Sequence, residues 1–338
     1  MELTHDGHER RLGLLLAFGT LVWAGTYNAL AKGLTPFLSP VTLLILSEAL
    51  TAVFIVMTFG FVPLLKELSK LDAKSFRISI LYGLFNSAVA PLMWFTGLKF
   101  TSAVNASVLS ASDVVSVLVL SQFFLGERLS KLQFTGLMTI ISGILVVNFA
   151  NTTDSVAIHI GDLLIVVGSL SSACGTVIFK KYLSHMMPEL AILIRNVSAI
   201  VAVSVIGAIL QLSVAQEVAA FPVQKIMLLL AFTFFSRYLD LTFFYESLDR
   251  LPATTFSLIQ IANPLSGIVF AALLLGETIH LYQAAGCALI LLGLTIEHLS
   301  PKAFPSALRV RSLLEHLRLR KTTPALSQHQ LPLIPKNV

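Results

Sequence analysis

Ten stretches of about 20 apolar residues follow one another between Leu12 and Leu299, and they leave this chain little choice of solvent. A hydrocarbon core of roughly 30 Å is crossed by a helix of about 20 apolar residues. The stretches cover 12–31, 41–64, 76–98, 102–125, 132–150, 161–182, 190–212, 223–248, 254–275 and 282–299. Only 12% of the residues are charged, 56% are hydrophobic, and mean hydropathy is +0.84; soluble domains carry about 25% charge. Barrel strands would alternate apolar and polar positions, whereas these stretches are apolar all round, so the spans read as helices and the fold class as an all-α membrane protein. The first span has no small-residue cleavage motif and reads as a retained signal anchor. Cys174 and Cys287 fall inside spans and read as small packing residues.

Basic residues set the expected orientation. With both termini cytoplasmic, the outer side keeps only Lys32, Lys99 and Lys225, and Arg195 and Arg237 lie within spans. Every other Lys and Arg, from Arg10 to the basic end of the chain, falls inside. The net charge of +5 is thus accounted for by topology and calls for no nucleic acid. The expected location is the cell inner membrane. In the basic tail, the stretch 307–321 reads either as an interfacial helix on the anionic leaflet or as a disordered tail that enforces topology.

The chain also repeats itself. "LGE" at Leu125–Glu127 returns at Leu275–Glu277, 150 residues later. At the same offset Ala103 matches Ala253, Ser107 matches Ser257, Gln133 matches Gln283, and Gly136 and Gly143 match Gly286 and Gly293. Residues 1–150 and 151–300 therefore read as two five-helix repeats, with 301–338 a basic cytoplasmic tail. Five is odd, so the halves are inverted, an organisation common among secondary transporters that bind substrate near the midplane. The repeated glycines read as close helix packing. Glu127 and Glu277 read as caps for the helices that follow them.

Trp23, Gly25, Thr26, Asn28 and Lys32 in the first span, both Leu-Gly-Glu turns, and "LPATTFSLIQIANPLSG" at Leu251–Gly267 together resemble the EamA-type transporters of the drug/metabolite transporter superfamily. The resemblance covers about residues 12–299. It implies a ten-helix inner-membrane carrier working by alternating access, with a cavity lined mainly by helices one, three, four, six, eight and nine. It also implies export, for the most part, of amino acids, their derivatives, nucleobase-like metabolites or drugs. Members often carry Arg seven residues after a Pro early in helices two and seven. Here Pro188 leads to Arg195, but Pro40 leads to Ser47 and then Glu48.

Ionisable residues inside spans are costly and default to functional candidates. They are Glu48, Asp113, Arg195, Arg237 and Asp240. Arg237 and Asp240, three apart on one α-helical face, either neutralise each other or grip a zwitterion. Asp113 lies about 16 Å into its span, and its repeat mate is Asn263, whose neighbour Pro264 frees a backbone carbonyl. Trp23, Asn28, Asn86 and Gln260 complete the expected substrate site. Trp94 reads first as an interfacial anchor and second as a further cavity group, and Arg195 first as snorkelling to the phosphates and second as a functional group. Asp113, with Glu48 second, is the expected coupling group if protons drive transport.

Zinc and nucleophile signatures are absent, as are filter loops and charged rings, which argues against an enzyme or a channel. No cofactor or metal is expected. The expected partners are a small-molecule substrate, the lipid bilayer and protons for coupling, with the chain a monomer or homodimer. The main reading is a secondary transporter exporting an amino acid or derivative. The alternative is an uptake or exchange carrier for a nucleoside-like metabolite such as S-adenosylmethionine.

Overall fold

The structure, a computed structural model, describes residues 2–126, 129–149, 160–183 and 186–299. Ten helices in it are long and apolar enough to cross a membrane. They are α1 Glu9–Leu34, α2 Pro40–Phe59, α3 Ala73–Phe100, α4 Ala103–Leu125, α5 Lys131–Asn148, α6 Ile160–Leu183, α7 Glu189–Ile209, α8 Val223–Leu248, α9 Thr255–Leu275 and α10 Leu281–His298. No strand occurs among the described residues. Glu127 and the 307–321 tail stretch lie outside the described residues.

Local chemistry starts and stops these helices where the bundle needs it. Ser39 caps α2, its hydroxyl accepting from Thr42 N at 3.2 Å, with Pro40 in the first turn where its missing N–H costs nothing. Asp72 and Ser102 cap α3 and α4 in the same way. The second span stops at Phe59, short of the expected 64, because Gly60 takes φ +82° and the chain turns into a short separate helix, Phe61–Leu68. The repeated Leu-Gly-Glu turns have a common cause. Gly126 and Gly276 end α4 and α9 in the left-handed region, at φ +69° and +67°, where a side chain is strained.

Five crossings in each half invert the second half relative to the first, and the packing pairs up accordingly. Helix α1 lies against α9 and α8, and α6 lies against α4 and α3. Helices α5 and α10 pack on each other along the repeated glycines. A Cβ on Gly143 would stand 2.7 Å from Gly286 O, and one on Gly136 would stand 2.7 Å from Gly293 O. In lipid, helices gain little from hiding apolar surface from each other, so such backbone approach and dispersion hold them together. The outer faces carry exposed apolar side chains such as Met57, Phe123 and Leu281. In hydrocarbon these are solvated; in water they would be a liability.

Five spans lose regular α geometry: α6 at its end, over the π-helical Phe179–Leu183, and four others at positions related by the repeat. Helix α4 breaks between Ala103–Leu109 and Ser112–Leu125, and α9 breaks between Ala253–Gln260 and Asn263–Leu275. Helix α3 is π-helical over Leu84–Val89, and α8 over Phe232–Leu239. Irregular backbone at membrane depth survives only where protein or a water-filled cavity satisfies it.

Candidate functional site

The irregular segments of α4, α8 and α9 meet at a cavity of about 190 Å³. Ala24, Tyr27 and Asn28 of α1 form one wall, with Trp94 of α3 and Ser107 and Ser110 of α4 beside it. Ser236 and Asp240 of α8 and Asn263 and Gly267 of α9 close the ring. Of the helices that the family resemblance implied, all but α6 contribute.

Asn28 is fixed from both ends. Its amide donates to Ser107 Oγ at 3.1 Å, and its Oδ1 accepts from Trp94 Nε1 at 2.8 Å. Trp94, expected at the membrane interface, is therefore a cavity wall. An indole N–H gains more from a buried amide acceptor than from a headgroup when the acceptor is already in place. Thr26 and Ser236 share a hydrogen bond of 2.7 Å between α1 and α8. Asp240 is the one carboxylate on the lining, and its buried Oδ1 has no hydrogen-bond partner. None of the lining residues is cationic.

Three of the expected substrate-site residues line this cavity: Asn28, Asp240 and Asn263. The other five, Trp23, Asn86, Asp113, Arg237 and Gln260, do not. Arg237 does not face Asp240. It makes an ion pair with Glu48 of α2 and donates to Ser47 Oγ at 3.2 Å. The expected shared face assumed α-helical spacing, and the wider π turn through Phe232–Leu239 rotates Arg237 out of line with Asp240. Glu48 is accordingly a paired, fully buried carboxylate and not a free coupling group. With its amide oriented to satisfy both neighbours, Asn196 donates to Glu48 Oε2 at 2.9 Å.

Arg195 does not snorkel. Its Nη1 donates to Asn86 Oδ1 at 2.9 Å and to Tyr82 Oη at 3.2 Å, inside the bundle. Gln260 ties α9 to α1 through Ala17 O at 3.3 Å. Trp23 stacks on Phe235 with ring centroids 4.7 Å apart, and its buried Nε1 has no partner. Asp113 opens the second half of the broken α4, next to the Ser172 hydroxyl of α6.

Sequence reasoning missed Tyr27, Ser107, Ser110 and Ser236 as lining residues. Two carried a signal: Ser107 has an identical repeat mate in Ser257, and Ser236 is the mate of Asn86. Glu277 also departs from its expected role. Its carboxylate caps α4, not the following helix, accepting from Ala103 N at 3.0 Å and Val104 N at 2.9 Å. The start of α10 is held instead by Gln283, whose Oε1 accepts from His280 N at 2.8 Å.

Comparison with known proteins agrees with this architecture. The profile of the EamA-like transporter family matches residues 11–149 and again 159–296, one match per half. A relative named as a probable amino-acid metabolite efflux pump, from Salmonella typhimurium, is 28% identical over 222 residues, covering 64% of this chain and 74% of its own. An uncharacterized transporter from Archaeoglobus fulgidus is 26% identical over 295 residues, covering 84% of this chain and 97% of its own. A solved crystal structure superposes with a TM-score of 0.58 at 16% identity, covering 84% of this chain and 95% of that one, which shows a shared fold. The chain belongs to the EamA-like transporter family and is a multi-pass membrane transporter of small metabolites.

Proposed function

We propose that the protein is a secondary carrier that exports an amino acid or an amine-bearing amino-acid derivative across the inner membrane by alternating access, with both termini cytoplasmic. The observation that carries this reading is Asp240. A buried carboxylate oxygen without a donor, on a cavity wall with no cation, is complementary to a substrate ammonium group. Neutral polar groups of Asn263, Ser110 and Ser236 are at hand for the rest of the ligand. With Arg237 committed to Glu48, no guanidinium grips a substrate carboxylate in this cavity. Drug-sized pockets run to roughly 300–1,000 Å³, so about 190 Å³ favours an amino-acid-sized ligand over a nucleoside-like one. The efflux-pump relative supports the same substrate class and direction.

The test is counterflow of a panel of labelled amino acids, amines and nucleoside-like metabolites in proteoliposomes. Wild-type protein should exchange amine-bearing members, and Asp240→Asn should lose that exchange by at least about tenfold at normal abundance and fold. Unchanged exchange in Asp240→Asn, or exchange confined to nucleoside-like members, would overturn the assignment.

A further inference from the structure

Like Asp240 on the cavity wall, Asp113 has a buried carboxylate oxygen, Oδ1, with no hydrogen-bond partner. Asp113 lies ten residues into the 23-residue α4, near mid-membrane, immediately after the break at Ser110 and Ala111. A bare carboxylate at that depth is costly and is relieved by a bound cation. Metal cations such as Ca²⁺ and Mg²⁺ demand six or more oxygen ligands. The side-chain hydrogen-bond partner of this carboxylate is the Ser172 hydroxyl, a single neutral oxygen and far short of such a shell. A proton needs no such shell.

From this placement we infer that Asp113 is the proton-binding site that drives the carrier, distinct from the substrate carboxylate Asp240. The inference rests on the carrier reading above. The step is simple: Asp113 carboxylate takes up one proton to become the neutral acid, and returns it to water on the other side, using the transmembrane proton gradient and no other reactant.

A polar path leads away from Asp113 without entering the substrate cavity. Ser172 O accepts from Asn86 Nδ2 at 3.4 Å, and Asn86 Oδ1 accepts from Arg195, which also reaches Tyr82. Tyr82 stands nine residues, about 14 Å, from the start of α3, so these bonds end inside the span. Arg195 has no ion-pair partner within 4 Å among the described residues.

The second half of α4 packs on α6 and α5. The titratable groups on those helices are Asp162, Cys174, Lys180, Lys181 and Tyr182 on α6 and Lys131 on α5. Only Cys174 is close to Ser172 in sequence, and the others lie at helix ends. The repeat mate, Asn263, cannot titrate and lines the substrate cavity. The mated positions 113 and 263 thus divide the work between binding a proton and binding substrate.

Asp113→Asn in proteoliposomes tests this. Counterflow of the labelled amine substrate at equal pH should stay within about threefold of wild type. Accumulation driven by a pH gradient, and the proton flux read by an internal pH dye, should fall at least about tenfold, with Asp113→Glu restoring part of both. Infrared difference spectra of pH-stepped protein without substrate should lose one carboxylic-acid carbonyl band in Asp113→Asn. Unchanged gradient-driven accumulation, lost counterflow in a folded Asp113→Asn, or an identical infrared spectrum would each overturn the inference. Absence of amine counterflow in wild type would sink the substrate reading instead, and the infrared result would still decide the proton site.

Discussion

Breaking the ion pair between Glu48 and Arg237 should cost more than losing any other single side-chain contact in the bundle. The two side chains are 0% and 10% exposed, and they join α2 to α8 across 189 residues of sequence. Removing one partner of a buried pair strands an uncompensated charge, at about 3–5 kcal/mol. Glu48→Leu or Arg237→Met alone should therefore raise the unfolding constant by roughly 10²–10³ or more. The double replacement Glu48→Leu with Arg237→Met strands no charge. Ser47 keeps its bond to Leu44 O at 3.1 Å, and Asn196 keeps Ile192 O at 3.1 Å, so few polar groups are orphaned. Stability should then return to within about 1 kcal/mol of wild type, giving a coupling energy of at least about 5 kcal/mol. The cycle can be measured by reversible unfolding in mixed micelles, followed by the fluorescence of Trp23 and Trp94. Single variants within about 1 kcal/mol of wild type, or a double variant as unstable as the worse single, would refute the reasoning.

Other outcomes follow from the same geometry. A cysteine at Thr278 in a cysteine-free background should react with an impermeant thiol reagent added outside intact cells; labelling only after permeabilisation would reverse the proposed orientation. Gly143→Leu places a side chain where a Cβ already sits 2.7 Å from Gly286 O, so α5 and α10 must part, and a stability loss above about 2 kcal/mol is expected. Burial opposes ionisation of Glu217, but the Ser39 N–H donated to it at 2.8 Å, with the Thr42 and Ser39 side chains, holds its carboxyl below the ordinary value of 4.5. Its contribution is present above that value and fades as pH falls through the lower folded one, so the melting difference between wild type and Glu217→Gln should shrink as pH falls below 4.5.

The features legible in the sequence were those that repeat or that act locally. The spans could be read because apolar runs have a length fixed by the bilayer, and the halves because Gly126 and Gly276 must each supply a left-handed turn. Partners across helices could not. Spacing of three pointed Arg237 at Asp240, but a π-helical turn, invisible in residue order, rotated it towards Glu48. Glu277 looked like a local cap, yet the free N–H groups it serves belong to α4, brought beside it by the fold. Trp94 looked interfacial by depth alone, because nothing in the sequence says that Asn28 Oδ1 waits at that height. The serines of the cavity wall were passed over because serine is also a common packing residue between membrane helices.

Alternating access needs some helix contacts to break cheaply and others to hold. If the end of the bundle beside Glu277 is the mouth that opens, the contacts holding it are ones that water can replace: Lys32 donates to Leu98 O and to Thr101 O, the latter at 2.8 Å, and Gln283 donates to Asn105 Oδ1 at 2.6 Å. A neutral hydrogen bond exchanged for one to water costs about 0.5–1.5 kcal/mol net, and one made by a charged group such as Lys32 about 1.5–3 kcal/mol. The Glu48–Arg237 pair is far more costly to part, so α2 and α8 should move as one body while α1 and α3 separate at the mouth. Cross-linking distinguishes the two. Cysteines at Lys32 and Thr101, joined by a short bifunctional thiol reagent, should stop transport and release it on reduction. Cysteines at Thr58 and Tyr238, whose hydroxyls already bond α2 to α8, should be joined with little loss of transport. Transport stopped by the second link, or undisturbed by the first, would mean that the moving boundary runs between α2 and α8 after all.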